Sequence, residues 1–411
     1  MNRVRISRKD EGMKRQRELT RIGRSRLRER KKVLSGFEAW EKILKQKEKI
    51  LKVLGGTEED WQDWRWQLKN RVTSAEILGK ILPLSDQALW ELQEVSKTYR
   101  FAISPYYLSL IDPADPDCGI KKQSVPSILE ILDDTGELDP MNEAGTSPVA
   151  AVTRRYPDRL IINVTNMCGM FCRHCQRRRN IGEVDRKTPR EQIKEALLYI
   201  REHKEIRDVL ITGGDALLLS DLELDWILKE LSKIPHVEIK RIGTRVPVTL
   251  PQRVTDNLVK ILKKYPPVYI NTQFNHPREV TPEAKAAVDK LIEAGVVLGN
   301  QAVLLKGVND APVIMEKLNH ELLKIRVRPY YIFQAKRVRG TMHFVPKIED
   351  GLKIMENLRG YTSGLAVPYY IVNAPGGYGK IPLLPQYLIE LSEEEAILRN
   401  WEGRVIRYPN S

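Results

Sequence analysis

From about residue 159 the sequence alternates short apolar runs with amphipathic stretches, and no other feature restricts the fold as much. The runs are Leu160–Val164, Val209–Thr212, Val237–Ile242, Val268–Asn271, Val296–Gln301 and Val327–Phe333. Each reads as a strand. Between the first two, Ile193, Ala196, Leu197 and Ile200 recur at helical spacing. Thr281-Pro282-Glu283 starts another helix and Gly295 stops it. Six strands that alternate with helices predict a parallel sheet, and hence an α/β fold. Right-handed crossovers curl such a sheet into a six-strand partial barrel or leave it doubly wound. A seventh run, Pro368–Val372, leads into a glycine-rich turn.

The 411 residues allow two to four domains of roughly 100–200 residues, or one large barrel with additions. Before the alternation begins, Trp40, Ile43, Leu44, Leu51 and Leu54 follow a helical spacing that Gly55-Gly56 ends. Five of the seven tryptophans precede residue 91, which predicts a helical domain docked on the rest. The net charge of +14 belongs mainly to one end: residues 1–32 hold 14 Lys/Arg and 4 Asp/Glu. This basic arm is expected to be a solvated, partly helical extension, so a nucleic-acid partner is not expected. The expected division is a basic arm over 1–35, a helical domain over 36–110, the barrel over 111–345 and a C-terminal segment over 346–411. No apolar stretch reaches the roughly 18 residues of a membrane span, and the start lacks the apolar core of a signal peptide. Four cysteines form no disulfide framework in a chain of this length. A cytoplasmic location with no membrane partner is therefore expected.

Three of those cysteines, Cys168, Cys172 and Cys175, form a CxxxCxxC immediately after the first strand. That is where barrel enzymes place their chemistry. Three thiolates so close together repel one another without a cation, so metal binding is the simplest reading. A [4Fe–4S] cluster suits soft thiolates, and three cysteines leave one iron open to another ligand. The alternatives are three buried thiols or a zinc site completed by a remote histidine. The motif in this position resembles the radical S-adenosylmethionine (radical SAM) superfamily. The resemblance implies that S-adenosylmethionine chelates the open iron and, on reduction, releases a 5′-deoxyadenosyl radical. Gly213-Gly214-Asp215, after the second strand, is similar to the superfamily element whose backbone receives the methionine amino group; glycine permits the close approach.

The turn Asn373-Ala-Pro-Gly-Gly-Tyr-Gly-Lys380 is not a phosphate loop. Ala374 and Ile381 stand where that motif needs Gly and Ser/Thr. A glycine-rich turn carrying one lysine suits a Schiff base with pyridoxal phosphate (PLP). The chain resembles the lysine 2,3-aminomutase family, in which radical SAM chemistry is combined with PLP. The resemblance runs over roughly residues 60–405. It includes Trp64–Asn70, Arg155-Tyr-Pro-Asp-Arg159, Cys175-Gln-Arg177, Gly213–Leu217, Arg245-Val-Pro-Val, Asn275-His-Pro277, Asn300-Gln301, Gly307–Asp310 and Asn400–Gly403. It implies that Lys380 carries PLP, that Arg155 and Arg159 contact the PLP phosphate, and that Arg177 pairs with the substrate α-carboxylate. A planar guanidinium is suited to that pairing.

Two departures matter. Tyr378 interrupts a more uniform glycine run of the lysine enzymes, and no cysteine follows Cys175, so no structural zinc is expected. The lysine enzymes also carry two aspartates for the distal ammonium, where this chain has Lys336 and Asn373. A Lys and an Asn repel an ammonium and attract a carboxylate. The expected reaction is therefore migration of the α-amino group of L-glutamate to C3, giving 3-aminoglutarate. The rivals are lysine or another amino acid as substrate, a nucleic-acid-modifying radical SAM enzyme, and a non-catalytic iron–sulfur protein. The expected partners are the amino acid, an electron donor such as flavodoxin or ferredoxin, and further copies of the chain.

Overall fold

The alternating segments form one sheet whose strands lie side by side in chain order. They are β1 Val152–Thr153, β2 Arg159–Asn163, β3 Asp208–Thr212, β4 Ile239–Gly243, β5 Val268–Thr272, β6 Val297–Leu304, β7 Arg328–Gln334, β8 Tyr369–Asn373 and β9 Lys380–Leu383. The computed structural model describes residues 8–410. Strands β2 to β8 pair in parallel, while β1 and β9 run antiparallel at the two edges. A separate antiparallel sheet near the C-terminus joins β10 Leu388–Leu391, β11 Glu395–Arg399 and β12 Val405–Pro409.

The longer helices are α1 Arg8–Arg30, α2 Trp40–Leu54, α3 Asp86–Thr98, α4 Arg190–Glu202, α5 Asp221–Ser232, α6 Asp256–Lys263, α7 Pro282–Glu293, α8 Pro312–Lys324 and α9 Ile348–Leu358. Helices α4 to α9 each connect two neighbouring parallel strands. Their local signals behave as the sequence predicts. Ile193, Ala196, Leu197 and Ile200 are the buried stripe of α4. The Thr281 side chain accepts from the Ala284 amide to cap α7, and Gly55, in the left-handed region, ends α2.

The parallel sheet is wider than the six strands expected. Pro368–Val372 is more than an approach to the glycine-rich turn: within it, β8 is a seventh parallel strand bonded to β7, reached through α9. The sheet also curves. Ile161, Leu210, Arg241, Asn271, Gln301 and Phe333 come from six successive strands and line a single cavity of about 300 Å³. A flat sheet could not aim them at one space. The alternate residues, such as Leu160 and Ile162 of β2, are buried away from that cavity. One continuous hydrophobic core runs from Ala39 through the sheet to Tyr370, so the N-terminal helices and the sheet share it.

The basic arm is helical and largely exposed, as expected, with its residues 1–7 outside the described residues; what the sequence does not predict is that α1 is anchored to the rest of the chain. Arg26 pairs with Glu316 of α8, donates to the Asn357 carbonyl oxygen at 2.6 Å and stacks over Tyr361 at 4.4 Å. Arg30 approaches Glu316 at 3.5 Å, and Arg15 pairs with Glu402 at 2.5 Å. Glu316 is only 5% exposed, and these arginines are its charged partners. Among the described residues no helix is long and apolar enough to cross a membrane. Deleting residues 1–32 is expected to lower Tm by ~4 °C, measured by calorimetry. Turnover per assembled active site should stay unchanged, because none of the described arm residues lines the cavity.

Candidate active site

The cysteine loop leaves β2 and is pinned by the end of β3. Val164 N–H donates to the Thr212 carbonyl at 2.8 Å, Gly214 N–H to Thr165 at 2.5 Å and Asp215 N–H to Met167 at 2.7 Å. Gly213 has φ +137°, and a Cβ on it or on Gly214 would strike the backbone of residues 164–167. Glycine at both positions is thus a condition for the two loops to touch. The buried Asp215 carboxylate accepts from Thr244 Oγ1 at 2.5 Å and from the Arg245 amide at 2.7 Å. It ties the end of β3 to the end of β4.

All three cysteines of the motif line the cavity. Burial pushes the Cys168 thiol well up, with Asp215 adding to the effect, and pushes Cys175 up to about 11. As thiolates they require positive charge nearby, and each has arginine in its field: Arg71 beside Cys168, Arg177 and Arg178 beside Cys175, and Arg245 beside Cys172. Among the described residues no three His, Cys, Asp or Glu side chains gather around a single metal ion. A cluster does not need that, since each thiolate binds its own iron. Three soft donors on a loop beside an open cavity therefore fit an iron–sulfur cluster with one free iron.

Lys380 lines the same cavity. In the β8–β9 hairpin it pairs directly with Asn373, so both side chains reach the cavity. The connecting turn needs glycine: Gly376, Gly377 and Gly379 have φ of +73°, +86° and +101°. Tyr378 between them has φ −70° and ψ 13° and is 89% exposed, which explains why this one position tolerates a side chain. The Lys380 ammonium sits over the rings of Tyr156, Tyr331 and Phe333 at 5.4, 5.9 and 6.0 Å. Although the residue is exposed to the open cavity, desolvation of its ammonium by the surrounding wall, with Arg159, Arg241 and Arg155 nearby, lowers its pKa to about 8. Such an amine is free often enough at neutral pH to attack a carbonyl.

Arg155 also lines the cavity, packed against the turn so closely that a Cβ on Gly377 would touch it. Arg159 stacks on Tyr156 at 3.9 Å and lies near enough to Lys380 to help lower its pKa, but it is not among the residues that line the cavity. Four buried polar atoms of cavity residues lack any partner: Arg155 Nη1, His174 Nδ1, Thr272 Oγ1 and Asn373 Nδ2. Unpaired donors of this kind are costly unless a ligand satisfies them. Arg155 and Lys380 therefore fit a phosphate-bearing aldehyde cofactor.

Arg177 is held by a residue that sequence reasoning missed. Glu143, 6% exposed, accepts from Arg177 Nε at 2.9 Å and Nη2 at 3.0 Å, and lies 3.8 Å from Arg155. This pair leaves the Nη1 nitrogen of Arg177 unengaged by Glu143. Glu143 sits in an irregular loop with no periodic pattern around it, so only the fold reveals its role. Lys336 does not point to solvent beside its exposed neighbours Arg337 and Arg339. It lines the cavity, donates to Gln176 Oε1 and lies 5.7 Å from the Phe333 ring centroid. Burial, with Arg155 and Arg177 close by, lowers its pKa to about 7.

Comparison with known proteins gives the family. The radical SAM superfamily model matches residues 162–316 and the lysine-2,3-aminomutase model matches residues 355–411. A glutamate 2,3-aminomutase of Clostridioides difficile is 58% identical over 378 residues, covering 92% of this chain and 90% of that protein. The chain belongs to the lysine 2,3-aminomutase family. An L-lysine 2,3-aminomutase of Clostridium subterminale is 50% identical over 86% of this chain and 85% of its own length. One from Bacillus subtilis is also 50% identical, over 86% of this chain and 75% of its own length. As a member of this family the protein is a radical SAM isomerase, with the cluster and S-adenosylmethionine that such chemistry uses.

Several motif residues of this aminomutase turn out to be scaffold. Asn300 exchanges two hydrogen bonds with the Phe274 backbone, and Asn309 donates to the Asn275 and Val303 carbonyls. They stitch together the loops that follow β5 and β6. Replacing Cys168, Cys172 or Cys175 with Ala should abolish cluster assembly, read as iron content and the anaerobic EPR signal. Cys118→Ala should keep full iron, since Cys118 is buried and its sulfur accepts from the Asp112 amide.

Proposed function

We propose that the protein is a PLP-dependent glutamate 2,3-aminomutase that converts L-glutamate to 3-aminoglutarate. The observation that carries this reading is the charge of the cavity. Arg177, Arg241 and Arg245 each have a carboxylate partner in Glu143, Asp208 and Glu279. Arg155 shares Glu143 only at 3.8 Å, and among the described residues Lys336 and Lys380 form no ion pair with a carboxylate. A cavity with three loosely compensated cations suits a phosphate and two carboxylates, and opposes a substrate with a second ammonium. The similarity to the glutamate enzyme of C. difficile supports the same choice.

When bound, the cluster and S-adenosylmethionine supply a hydrogen-abstracting radical, and PLP supplies the π-system across which nitrogen moves. The chain's own residues orient and select. Lys380 holds PLP, while Arg155 and Arg159 take its phosphate. Arg177, aligned by Glu143, takes the α-carboxylate through its free edge. Lys336 and the orphan amide of Asn373 take the distal carboxylate, where an aspartate could only accept hydrogen bonds. At ~4 Å and an effective dielectric of about 20, the Lys336 pair is worth roughly 4 kcal/mol before desolvation. Gly213, Gly214 and Asp215 shape the wall beside the cluster that receives S-adenosylmethionine. No cysteine follows Cys175, so the reading includes no structural zinc. A reductant protein supplies the electron.

Anaerobic incubation with reductant, S-adenosylmethionine, PLP and separate amino acids tests this reading by product identification. Glutamate should give 3-aminoglutarate, with kcat/KM roughly 100-fold above that for lysine, as about 3 kcal/mol of discrimination implies. A preference for lysine would overturn the substrate assignment. Borohydride should fix the cofactor on Lys380 and on no other lysine. Lys336 is protonated below about pH 7 in the ligand-free protein. Its charge, and with it the affinity for glutamate, therefore falls as pH rises through that value. KM should climb above about pH 7, and Lys336→Met should flatten that climb at a higher KM throughout.

A further inference from the structure

Arg245 follows β4, is 8% exposed, and spends every branch of its guanidinium inside the protein. Nε donates to the Gln273 carbonyl at 3.0 Å. Nη2 donates to Gln123 Oε1 at 2.7 Å, Glu279 Oε1 at 2.8 Å and Tyr107 Oη at 3.3 Å. Nη1 donates to Cys172 Sγ at 2.8 Å. Glu279 is fully buried and is itself fixed, accepting from Tyr107 Oη at 2.7 Å and the Asn275 amide at 2.5 Å. The guanidinium therefore cannot swing away from the sulfur without breaking four other contacts. Among the described residues it is the arginine that donates directly to a cysteine sulfur.

We infer that Arg245 sets the reduction potential of the iron–sulfur cluster through its hydrogen bond to Cys172; this rests on the cluster reading of the cysteine triplet. Reduction adds one electron, delivered by an external reductant, to a site already carrying three thiolates. A fixed cationic donor on one of the sulfurs stabilises the added negative charge, most strongly where water is excluded. Hydrogen bonds to cluster sulfurs are among the levers by which proteins set such potentials. Glu279 opposes the effect, because its carboxylate compensates part of the Arg245 charge. The Glu279–Arg245 pair thus acts as an oriented dipole with its positive end on sulfur. Arg245 is a positioning residue here: it touches a cluster ligand and leaves the substrate to others.

The test is an EPR-monitored redox titration of the full-length, anaerobically reconstituted protein with PLP and without S-adenosylmethionine. Iron and sulfide are counted in every sample. In Arg245→Gln the ratio of reduced to oxidised cluster at fixed potential should fall about tenfold, a shift of about 59 mV to more negative values for a one-electron couple. Arg245→Lys, which keeps the charge, should recover part of that shift. Glu279→Gln should move the midpoint the other way, an opposite sign that general loosening of the site would not produce. An unchanged midpoint in Arg245→Gln with full iron content would overturn the inference. If the variants lose the cluster, the wild-type protein labelled with ¹⁵N-arginine decides: pulsed EPR of the reduced cluster should resolve a through-hydrogen-bond nitrogen coupling, and its absence would overturn the inference equally. Failure of the wild-type protein to take up iron would instead sink the cluster reading.

Discussion

The structure is organised around the cost of putting three sulfurs in a buried loop. Cys168 and Cys175 are driven towards the neutral thiol by their surroundings, so the protein can use them as thiolates only by bringing positive charge to them. Arginines do this from several directions, and their own charges are then fixed by buried carboxylates. Glu143 holds Arg177, Glu279 holds Arg245, and Glu130 holds both Arg173 and Arg178. The supports reach well beyond the sheet. Tyr107, Gln123 and Glu130 all lie in the helical region ahead of β1, and all three belong to these networks. The N-terminal helices are thus a structural requirement of the cysteine loop, which accounts for the single core that they share with the sheet.

The two ends of the cavity handle charge differently. Beside the sulfurs, every cation has a carboxylate or a thiol as its partner. Around Lys380, Lys336 and Arg155 the cations face one another, which adds to desolvation in lowering the pKa of each lysine. Cations held together with little counter-charge, Glu143 reaching Arg155 only at 3.8 Å, raise the energy of the empty site and lower that of a site filled with anions. The same arrangement binds and selects, since what relieves the repulsion is negative charge placed between these groups.

The parts of this design that were legible in the sequence are the local ones. The six leading strands, the capped helix at Thr281, the cysteine spacing and the Lys380 turn each announce themselves within a dozen residues. The seventh parallel strand was visible as an apolar run, but its pairing with β7 depends on the α9 crossover. Strand β1 has two residues and leaves no pattern. Glu143, Glu279 and the sulfur contact of Arg245 were illegible because Glu143 meets Arg177 across 34 residues of chain, Arg245 meets Cys172 across 73 and Glu279 meets Tyr107 across 172. The anchoring of the arm escaped for a related reason. Its composition describes a solvated charge run, which α1 largely is, while the acidic partners that anchor it come from α8 and from the far C-terminal turn.

That docking of α1 has a consequence for how the chain matures. Its anchoring contacts are with residues 316, 357, 361 and 402, so this helix has no surface to settle on until roughly 400 further residues have been added behind it. Contacts closing such long loops form after the local βα units have assembled, because the entropy of closing them is recovered only when a surface already exists. The arm is therefore the last strap to be fastened and a first candidate to come loose. Its basic residues spend synthesis unpaired beside an acidic surface that does not yet exist.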